Sequence, residues 1–412
     1  MKFRKLLQSL LPGIFLLGYC IGTGSVTAMA KAGADYGMSL LWTVLLSCYI
    51  TYFLIDLYGQ FTIFTGETAL EAFRKHIHPA VGIFFIVALT TNVSGSVVGV
   101  MGILSDVCYE WSKNFVKGGV HPVYFAIFFI SLVYLIFLNG RIKFFQKVLT
   151  IIVAIMSLCF LINFFILTPP LVEIARGIIP RIPETGSNDT AFLVIASMVG
   201  TTVFSGLFII RTTLVKEAGW TFTDLKIQRR DALFSGFMMF AISATIMASA
   251  AGTLYQEGIT LENVSEMITL LEPLSGAFAV AIFGIGLVAA GVSSQFPNVM
   301  LLPWLLSDYN QQPFDMRRKP YRIMVFFISL LGLIVPIFQA RPIAVMIASQ
   351  AFGALILPAT VGCIFYLGNK PSVVGQHTFP ITTNVVLFLI LVFSLIMGYM
   401  GITGLVATLK AL

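Results

Sequence analysis

Long apolar stretches separated by short polar connections run along the whole chain, and they predict eleven membrane-spanning helices. One bilayer crossing takes about 20 predominantly apolar residues. The predicted spans cover residues 10–34, 38–59, 80–107, 122–139, 144–168, 192–214, 232–255, 276–306, 321–338, 343–367 and 383–409. Little sequence is left between them, so the pattern predicts an all-α membrane protein with a single transmembrane domain over residues 1–412.

Two of these spans carry glycine and hydroxyl residues where a lipid-facing helix would carry leucine. They lie at residues 18–27 and 197–206, and their cores, Ile21–Thr23 and Val199–Thr201, resemble each other. Such residues also serve close packing between membrane helices. Because the two segments occupy matching positions, they favour inverted repeats with interrupted helices around a midplane site. We therefore expect five-helix repeats at about 10–168 and 192–367, and one additional helix at about 383–409.

Composition and charge agree with a membrane location. Hydrophobic residues make up 58% of the chain and charged residues 10%, whereas soluble proteins average about 45–50% and about 25%. With the N-terminus inside, seventeen of the 25 lysines and arginines fall on the cytoplasmic side. This bias predicts a cytoplasmic N-terminus and a C-terminus outside. The net charge of +7 is then loop charge and not a nucleic-acid site, and the short tails suit a prokaryotic inner membrane.

Motifs of catalysis are missing from the sequence. It has no P-loop, no nucleophile elbow and no HExxH pattern, and its five cysteines show no CxxC spacing. We therefore expect a transporter and not an enzyme. We expect no cofactor and no nucleic-acid partner, and a monomer in the lipid bilayer. A coupling ion, H+ or Na+, is left open.

Several further segments resemble one known family. They are Leu11–Gly13, Ala32–Trp42, Gly177–Pro183, Asp224–Leu233, Gly286–Ser294, Ser349–Gln350 and Leu357–Pro358. In these segments the chain is similar to the natural resistance-associated macrophage protein (NRAMP) family of proton-coupled divalent metal transporters. The resemblance implies a LeuT-like inverted-repeat fold, with the first and sixth helices interrupted, that works by alternating access.

The ligand motifs of that family are replaced in this chain. The family's Asp-Pro-Gly-Asn tetrad falls on Gly22, Thr23, Gly24 and Ser25, and its Met-Pro-His-Asn motif falls on Phe204, Ser205, Gly206 and Leu207. The acidic stretch of the third helix corresponds to Thr91–Ser96, which contains no acid. At an effective dielectric constant near 20, one carboxylate about 4 Å from a divalent ion contributes roughly 8 kcal/mol of gross attraction. The family's usual metal site is therefore not expected here.

The replacements suggest a different solute. The segment Gly22–Ser25 resembles the glycine-rich break of amino-acid permeases that share this fold, in which backbone amides hold a carboxylate. Glycine lets the backbone approach a ligand, and a helix N-terminus offers free amide donors. We therefore expect a small carboxylate-bearing or polar organic solute. The alternatives are a divalent metal ion of the Mn, Fe or Mg type bound at an atypical site, and a sensor that does not transport.

The candidate residues follow from these motifs. Substrate-binding candidates are Gly22, Thr23, Gly24, Ser25, Gly200, Thr201, Thr202, Phe204, Ser205, Gly206 and Gln350, and path-lining candidates are Asn92, Ser293 and Ser294. No residue is assigned as a metal ligand. Helix packing is the alternative role for the glycine, serine and asparagine residues, and filling of space is the alternative for Phe204. The ionisable residues Asp56, Asp106 and Arg211 lie near span ends, which favours snorkelling or gating pairs over ion binding.

Overall fold

A computed structural model describes residues 11–138, 171–183 and 191–411, together with isolated positions between 147 and 158. All regular secondary structure in these residues is helical. The helices are α1 (Leu11–Cys20), α2 (Thr23–Tyr36), α3 (Leu41–Thr65), α4 (Ala69–Ala72), α5 (Pro79–Ser112), α6 (Pro122–Leu138), α7 (Leu171–Arg176), α8 (Ala191–Thr202), α9 (Ser205–Glu217), α10 (Leu225–Thr253), α11 (Val264–Tyr309), α12 (Lys319–Leu330), α13 (Ile334–Phe338), α14 (Pro342–Gly368), α15 (Pro371–Val374) and α16 (Ile381–Ala411).

The predicted membrane spans correspond to these helices. Within the described residues, eight helical segments are long and apolar enough to cross a bilayer, and α6 is a shorter apolar helix. The pair α1 and α2 occupies the predicted first span, and α8 and α9 occupy the sixth. The predicted span at 144–168 lies outside the described residues, apart from isolated positions. The all-α fold with interrupted first and sixth helices is confirmed.

Both interruptions are short stretches of extended backbone. In the first span the break falls at Ile21 and Gly22, and Gly22 adopts φ −103° and ψ −170°. In the sixth span it falls at Val203 and Phe204, and Phe204 adopts φ −70° and ψ 119°. Each break ends one half-helix and starts another, which exposes carbonyl groups at the first and amide groups at the second.

The two broken helices lie in the middle of the bundle. Every residue of α8 except Phe192 is buried, and α2 is buried at all positions except Asp35. Helix α10 packs against α2 and α3, while α14 packs against α5, α8 and α16. The backbone irregularities are thus shielded from lipid by neighbouring helices, as unwound backbone at membrane depth requires.

A buried ion pair connects helices on the predicted cytoplasmic side. Arg211 of α9 is 0% exposed and pairs with Asp231 of α10, and it also donates to the side chain of Gln228. Asp231 accepts a 3.0 Å hydrogen bond from the amide of Gly13 in α1. Gln228 donates to the carbonyl of Ile55 in α3 at 3.1 Å. We call Gly13, Arg211, Gln228 and Asp231 the inner ion network.

For Arg211 and Asp56, ion pairing is the observed one of the two expected roles. Arg211 does not snorkel to the interface, because its charge is neutralised inside the bundle by Asp231. Asp56 pairs with the exposed Arg229 at 3.4 Å. Asp106 is partly buried near the end of α5. Of the three ionisable residues, two therefore form ion pairs between helices.

A second charged cluster lies at the short helix α4, which connects the second and third spans. Glu71 accepts hydrogen bonds from Lys75 at 2.5 Å and from Lys216 of α9 at 2.8 Å. Burial alone would raise the pKa of Glu71, but the two lysines outweigh it and hold the pKa at about 2. Glu71 is therefore ionised at neutral pH and fixes α4 to the end of α9.

Candidate substrate-binding site

A small cavity lies between the two helix breaks. Its volume is about 30 Å³, which is room for an ion or one or two water molecules. Helices α1, α2, α5, α8, α11 and α14 contribute to its wall, with Phe204 between α8 and α9. The lining residues are Tyr19, Cys20, Gly22, Gly24, Ser25, Asn92, Val93, Ser96, Val100, Thr201, Phe204, Ser294, Asn298 and Gln350.

Eight of the candidates from the sequence come together at this cavity. They are Gly22, Gly24, Ser25, Asn92, Thr201, Phe204, Ser294 and Gln350. The cavity lining does not include the other six, which are Thr23, Gly200, Thr202, Ser205, Gly206 and Ser293. The sequence positions next to each break are thus divided between the cavity and the surrounding helix contacts.

Residues outside the lining make helix contacts. The carbonyl of Thr202 accepts a 2.8 Å hydrogen bond from the hydroxyl of Thr51 in α3. A Cβ atom on Gly200 would overlap the backbone carbonyl of Gln350, and one on Gly206 would overlap the ring of Phe204. The hydroxyl of Ser293 donates to a carbonyl one turn earlier in its own helix. At these positions the observed contacts are helix contacts, while the hydroxyls of Thr23, Thr202 and Ser205 have no hydrogen-bond partner among the described residues.

Gly22 and Gly24 serve the cavity and the packing together. A Cβ atom on Gly22 would overlap the side chain of Ser294 in α11, and one on Gly24 would overlap the amide of Gln350 in α14. The lack of a side chain at both positions lets Ser294 and Gln350 reach the break of the first span. The glycines therefore admit protein side chains to the site, in addition to lining it.

Two of the three amide side chains at the cavity, those of Asn92 and Gln350, donate hydrogen bonds to the protein from their nitrogen atoms. Asn92 Nδ2 donates to the carbonyl of Ser349 at 2.7 Å. Gln350 Nε2 donates to Ser96 Oγ at 3.3 Å and contacts the sulfur of Met346 at 3.4 Å. In an amide the oxygen accepts and the nitrogen donates through two N–H groups, and the described bonds use the nitrogens while the oxygens of Asn92 and Gln350 receive no protein hydrogen bond. Both residues line the cavity and each keeps an acceptor oxygen without a protein donor among the described hydrogen bonds.

Sequence reasoning missed six lining residues, and three of them carried a usable signal. Ser96 lies four residues after Asn92, and Asn298 lies four residues after Ser294, so each pair shares one helix face. Tyr19 precedes the first break by two residues. Cys20, Val93 and Val100 look like ordinary apolar helix positions in the sequence.

The cavity contains no carboxylate, lysine, arginine or histidine among the described residues that line it. In the described part of the chain, no group of three or more His, Cys, Asp or Glu residues is placed to hold a metal ion. Polarity at the site comes instead from hydroxyls, amides and the ends of the half-helices. The carbonyl ends of α1 and α8 favour a cation, and the amide ends of α2 and α9 favour an anion.

Comparisons of the sequence point to one family. The family model "Natural resistance-associated macrophage protein-like" matches residues 14–404. A divalent metal cation transporter MntH of Caldanaerobacter subterraneus is 25% identical over 397 residues, covering 90% of this chain and 86% of the relative. The MntH of Yersinia enterocolitica is also 25% identical, covering 89% of this chain and 88% of the relative.

Comparisons of the structure give the same fold. The manganese transporter of Eremococcus coleocola aligns with a TM-score of 0.77 at 15% identity, over 97% of this chain and 86% of the other. Mhp1, a nucleobase-cation-symport-1 family transporter in a closed conformation, aligns with a TM-score of 0.62 at 15% identity, over 98% and 90%. Because the family model spans nearly the whole chain and the fold agrees, this multi-pass membrane protein is a transporter and not an enzyme, and it belongs to the natural resistance-associated macrophage protein family.

Proposed function

We propose that the chain carries a divalent metal cation across the membrane by alternating access and binds it between the two helix breaks. The relatives that align with most of the chain are named as divalent metal cation transporters. The comparisons do not support the organic solute that the missing ligands suggested, and they favour the divalent-cation alternative. The charge distribution of the loops supports a cytoplasmic N-terminus.

The hydrogen bonding of Asn92 and Gln350, two of the three cavity amides, is the observation that carries this proposal. Asn92 donates to the carbonyl of Ser349 and Gln350 donates to Ser96, whereas neither amide oxygen has a protein donor among the described hydrogen bonds. An oxygen acceptor attracts a cation or a water bound to one, and it repels a carboxylate. The hydroxyls of Ser25 and Ser294 add further oxygen atoms to the same wall.

The neutral oxygen atoms of the cavity determine which cations can bind and how much water a bound cation keeps. Hard cations such as Mg²⁺ and Mn²⁺ accept carbonyl, hydroxyl and water oxygens. Without a carboxylate the site forgoes roughly 8 kcal/mol of gross attraction, so full dehydration of the ion would not be offset. The cation therefore keeps part of its water shell, and we expect binding weaker than at a carboxylate site.

One feature favours the organic solute as the second candidate. The N-terminus of α2 at Gly22 has no side-chain cap, and its first-turn amides lie beside the cavity. Free amides of this kind attract a carboxylate. Since two amide oxygens face the same space, an anion would meet repulsion there. A non-transporting sensor is the third alternative and predicts binding without flux.

A paired binding and flux measurement tests the proposal. The purified chain is heated with Mn²⁺, Mg²⁺, Ca²⁺, amino acids or small organic acids, because a ligand of the native state raises its thermal midpoint. Uptake of the ligands that bind is then followed in proteoliposomes. We expect a shift and uptake with at least one divalent cation. A shift with an organic acid alone would establish the second candidate, and binding without uptake would establish the sensor.

Two adjacent serines provide a matched control. Both hydroxyls donate to a carbonyl one turn earlier in their own helix, but Ser294 lines the cavity and Ser293 is absent from the lining. Ser294→Ala should weaken cation binding a few-fold, since one hydrogen bond or ligand oxygen is worth about 0.5–1.5 kcal/mol. Ser293→Ala should leave it unchanged. Equal effects of the two variants would count against binding at this cavity.

A further inference from the structure

Two aromatic rings close one side of the cavity. Tyr19 lies near the end of α1, and Phe204 precedes the start of α9. Their ring centroids are 5.4 Å apart and the rings meet edge to face at 80°. Both residues line the cavity and are nearly buried, with 6% and 7% of their surfaces exposed. We call them the aromatic pair.

The position of the pair in the chain places it on one side of the site. With the predicted orientation, α1 rises from the cytoplasm to the first break, and α9 descends from the second break toward the cytoplasm. The pair therefore spans the two cytoplasmic half-helices directly beside the cavity. Helices α1 and α9 contact each other, and the pair joins them beside the cavity.

The hydroxyl of Tyr19 is unusual for a buried tyrosine. It is buried and has no hydrogen-bond partner among the described residues. A buried phenol ordinarily finds a partner, since leaving it unpaired costs stability. Tyr58 in α3 shows the ordinary case, because its hydroxyl donates to the carbonyl of Thr360 at 2.8 Å.

The ring of Phe204 is held in place by its surroundings. A Cβ atom on Gly206 would overlap this ring, so the glycine provides the space that the ring occupies. The ring of Tyr19 packs edge to face against the ring of Phe204 and restricts its movement. Phe204 thus does more than fill the volume of the methionine that the family carries at this position.

We propose that the Tyr19 hydroxyl binds a water molecule in the retained hydration shell of the cation, and that the aromatic pair is the gate on the cytoplasmic side. This inference rests on the proposed function for its ligand. A phenol can both donate and accept, so it can hold a water whose oxygen faces the cation. Gln350 and Asn92 bind from α14 and α5, while Tyr19 closes the site from α1.

Tyr19→Phe tests the ligand role because it removes only the hydroxyl and keeps the ring. We expect cation affinity to fall about threefold to tenfold, the range for one hydrogen bond, with no loss of thermal midpoint in the absence of ligand. Tyr58→Phe is the matched control, and it should lower the midpoint but leave affinity unchanged. Unchanged affinity in Tyr19→Phe would overturn the ligand role. Absence of cation binding by the native chain would instead overturn the proposed function.

Phe204→Ala tests the gate role and needs no ligand. Cys20 lies next to Tyr19 in the cavity wall and is buried. It serves as a native reporter once Cys48, Cys108, Cys159 and Cys363 are replaced by alanine. In this background, a membrane-impermeant thiol reagent on the cytoplasmic side should label Cys20 at least about tenfold faster in Phe204→Ala. Equal labelling rates with and without the ring would overturn the gate role.

Discussion

The cavity between the helix breaks and the inner ion network are both buried in the bundle, yet they treat charge in opposite ways. The inner ion network contains a full positive charge on Arg211 and a negative charge on Asp231, and each of them has protein partners. The cavity holds no charged side chain among its described lining residues, and it leaves acceptors of Asn92 and Gln350 for a ligand.

The difference separates a fixed element from an exchangeable one. A buried ion pair whose partners are all protein groups holds its helices together and offers little to a passing solute. A neutral cavity with free acceptors costs less to empty, so a ligand can enter and leave. In this chain Arg211 and Asp231 are used between helices, whereas the polarity of the cavity comes from helix dipoles and neutral oxygens.

The largest expected effect tests the fixed element. Arg211→Ala leaves Asp231 as a buried charge without its partner, which typically costs about 3–5 kcal/mol. We expect a strong fall in the thermal midpoint of the purified protein. Arg229→Ala removes an exposed partner of Asp56 and should change stability by about 1 kcal/mol or less. Equal losses of stability in Arg211→Ala and Arg229→Ala would mean that the buried ion pair is no more important than the pair with the exposed Arg229.

A double variant sharpens the same point. Replacing the pair together, as Arg211→Met with Asp231→Leu, leaves no isolated charge and should be more stable than Arg211→Ala alone. A double variant less stable than the single one would mean that the ion pair itself holds the helices.

The next effect concerns the packing of the site. Gly24→Ala would place a Cβ atom on the Gln350 amide. Overpacking of this kind costs about 1–3 kcal/mol, so we expect binding at least about fivefold weaker and a matching loss of uptake. Gly362→Ala is the control, since a Cβ atom there meets nothing within 4 Å. Normal binding in Gly24→Ala would show that Gln350 can move without consequence.

A charge introduced into the neutral cavity tests its polarity directly. Gln350→Glu replaces the amide with a carboxylate in the cavity wall. We expect divalent-cation affinity to rise about tenfold. The gain is smaller than the gross attraction between the charges because desolvation of the carboxylate offsets most of that attraction. Gln256→Glu, at an exposed position, controls for net charge. Weaker cation binding in Gln350→Glu would contradict a cavity that favours cations. The same conclusion would follow if the native chain bound an organic acid and the variant did not.

The smallest effect extends the comparison to the charged cluster around Glu71. The folded protein holds the pKa of Glu71 at about 2, below its ordinary value of 4.5, through hydrogen bonds from Lys216 and Lys75 that outweigh burial. This contribution to stability is present above about pH 4.5 and is lost as the pH falls toward about 2. Glu71→Gln should therefore show a smaller drop in thermal midpoint between pH 5 and pH 3. An identical drop would mean that other carboxylates account for the acid sensitivity.

Prediction from the sequence was most successful for helices and breaks. Long apolar stretches led to the spans, and the glycine and hydroxyl residues near Gly22 and Gly200 led to both interruptions. The sequence also predicted eight of the residues that line the cavity. It was less successful at separating cavity positions from packing positions, because Ser293 and Ser294 look alike until the rotation of their helix is known.

Prediction of the solute from the sequence was limited for the same reason. The absence of aspartate and methionine ligands led to the expectation of an organic solute, since composition records which groups are missing. Which atoms of the remaining groups face the cavity depends on partners from distant parts of the chain. The amide of Gln350 becomes an acceptor only because Ser96, 254 residues away, takes its donor.

The sequence by itself determined that this chain crosses the membrane as a bundle of helices and that two of them are interrupted. It did so because apolar length and helix-breaking composition are local properties, and the bilayer acts on each span separately. Only the tertiary structure decided that Arg211 is paired inside the bundle and that Tyr19 meets Phe204 beside the cavity. Those outcomes depend on side chains from different helices, whose relative rotation and depth are fixed by packing and leave no local trace in the sequence.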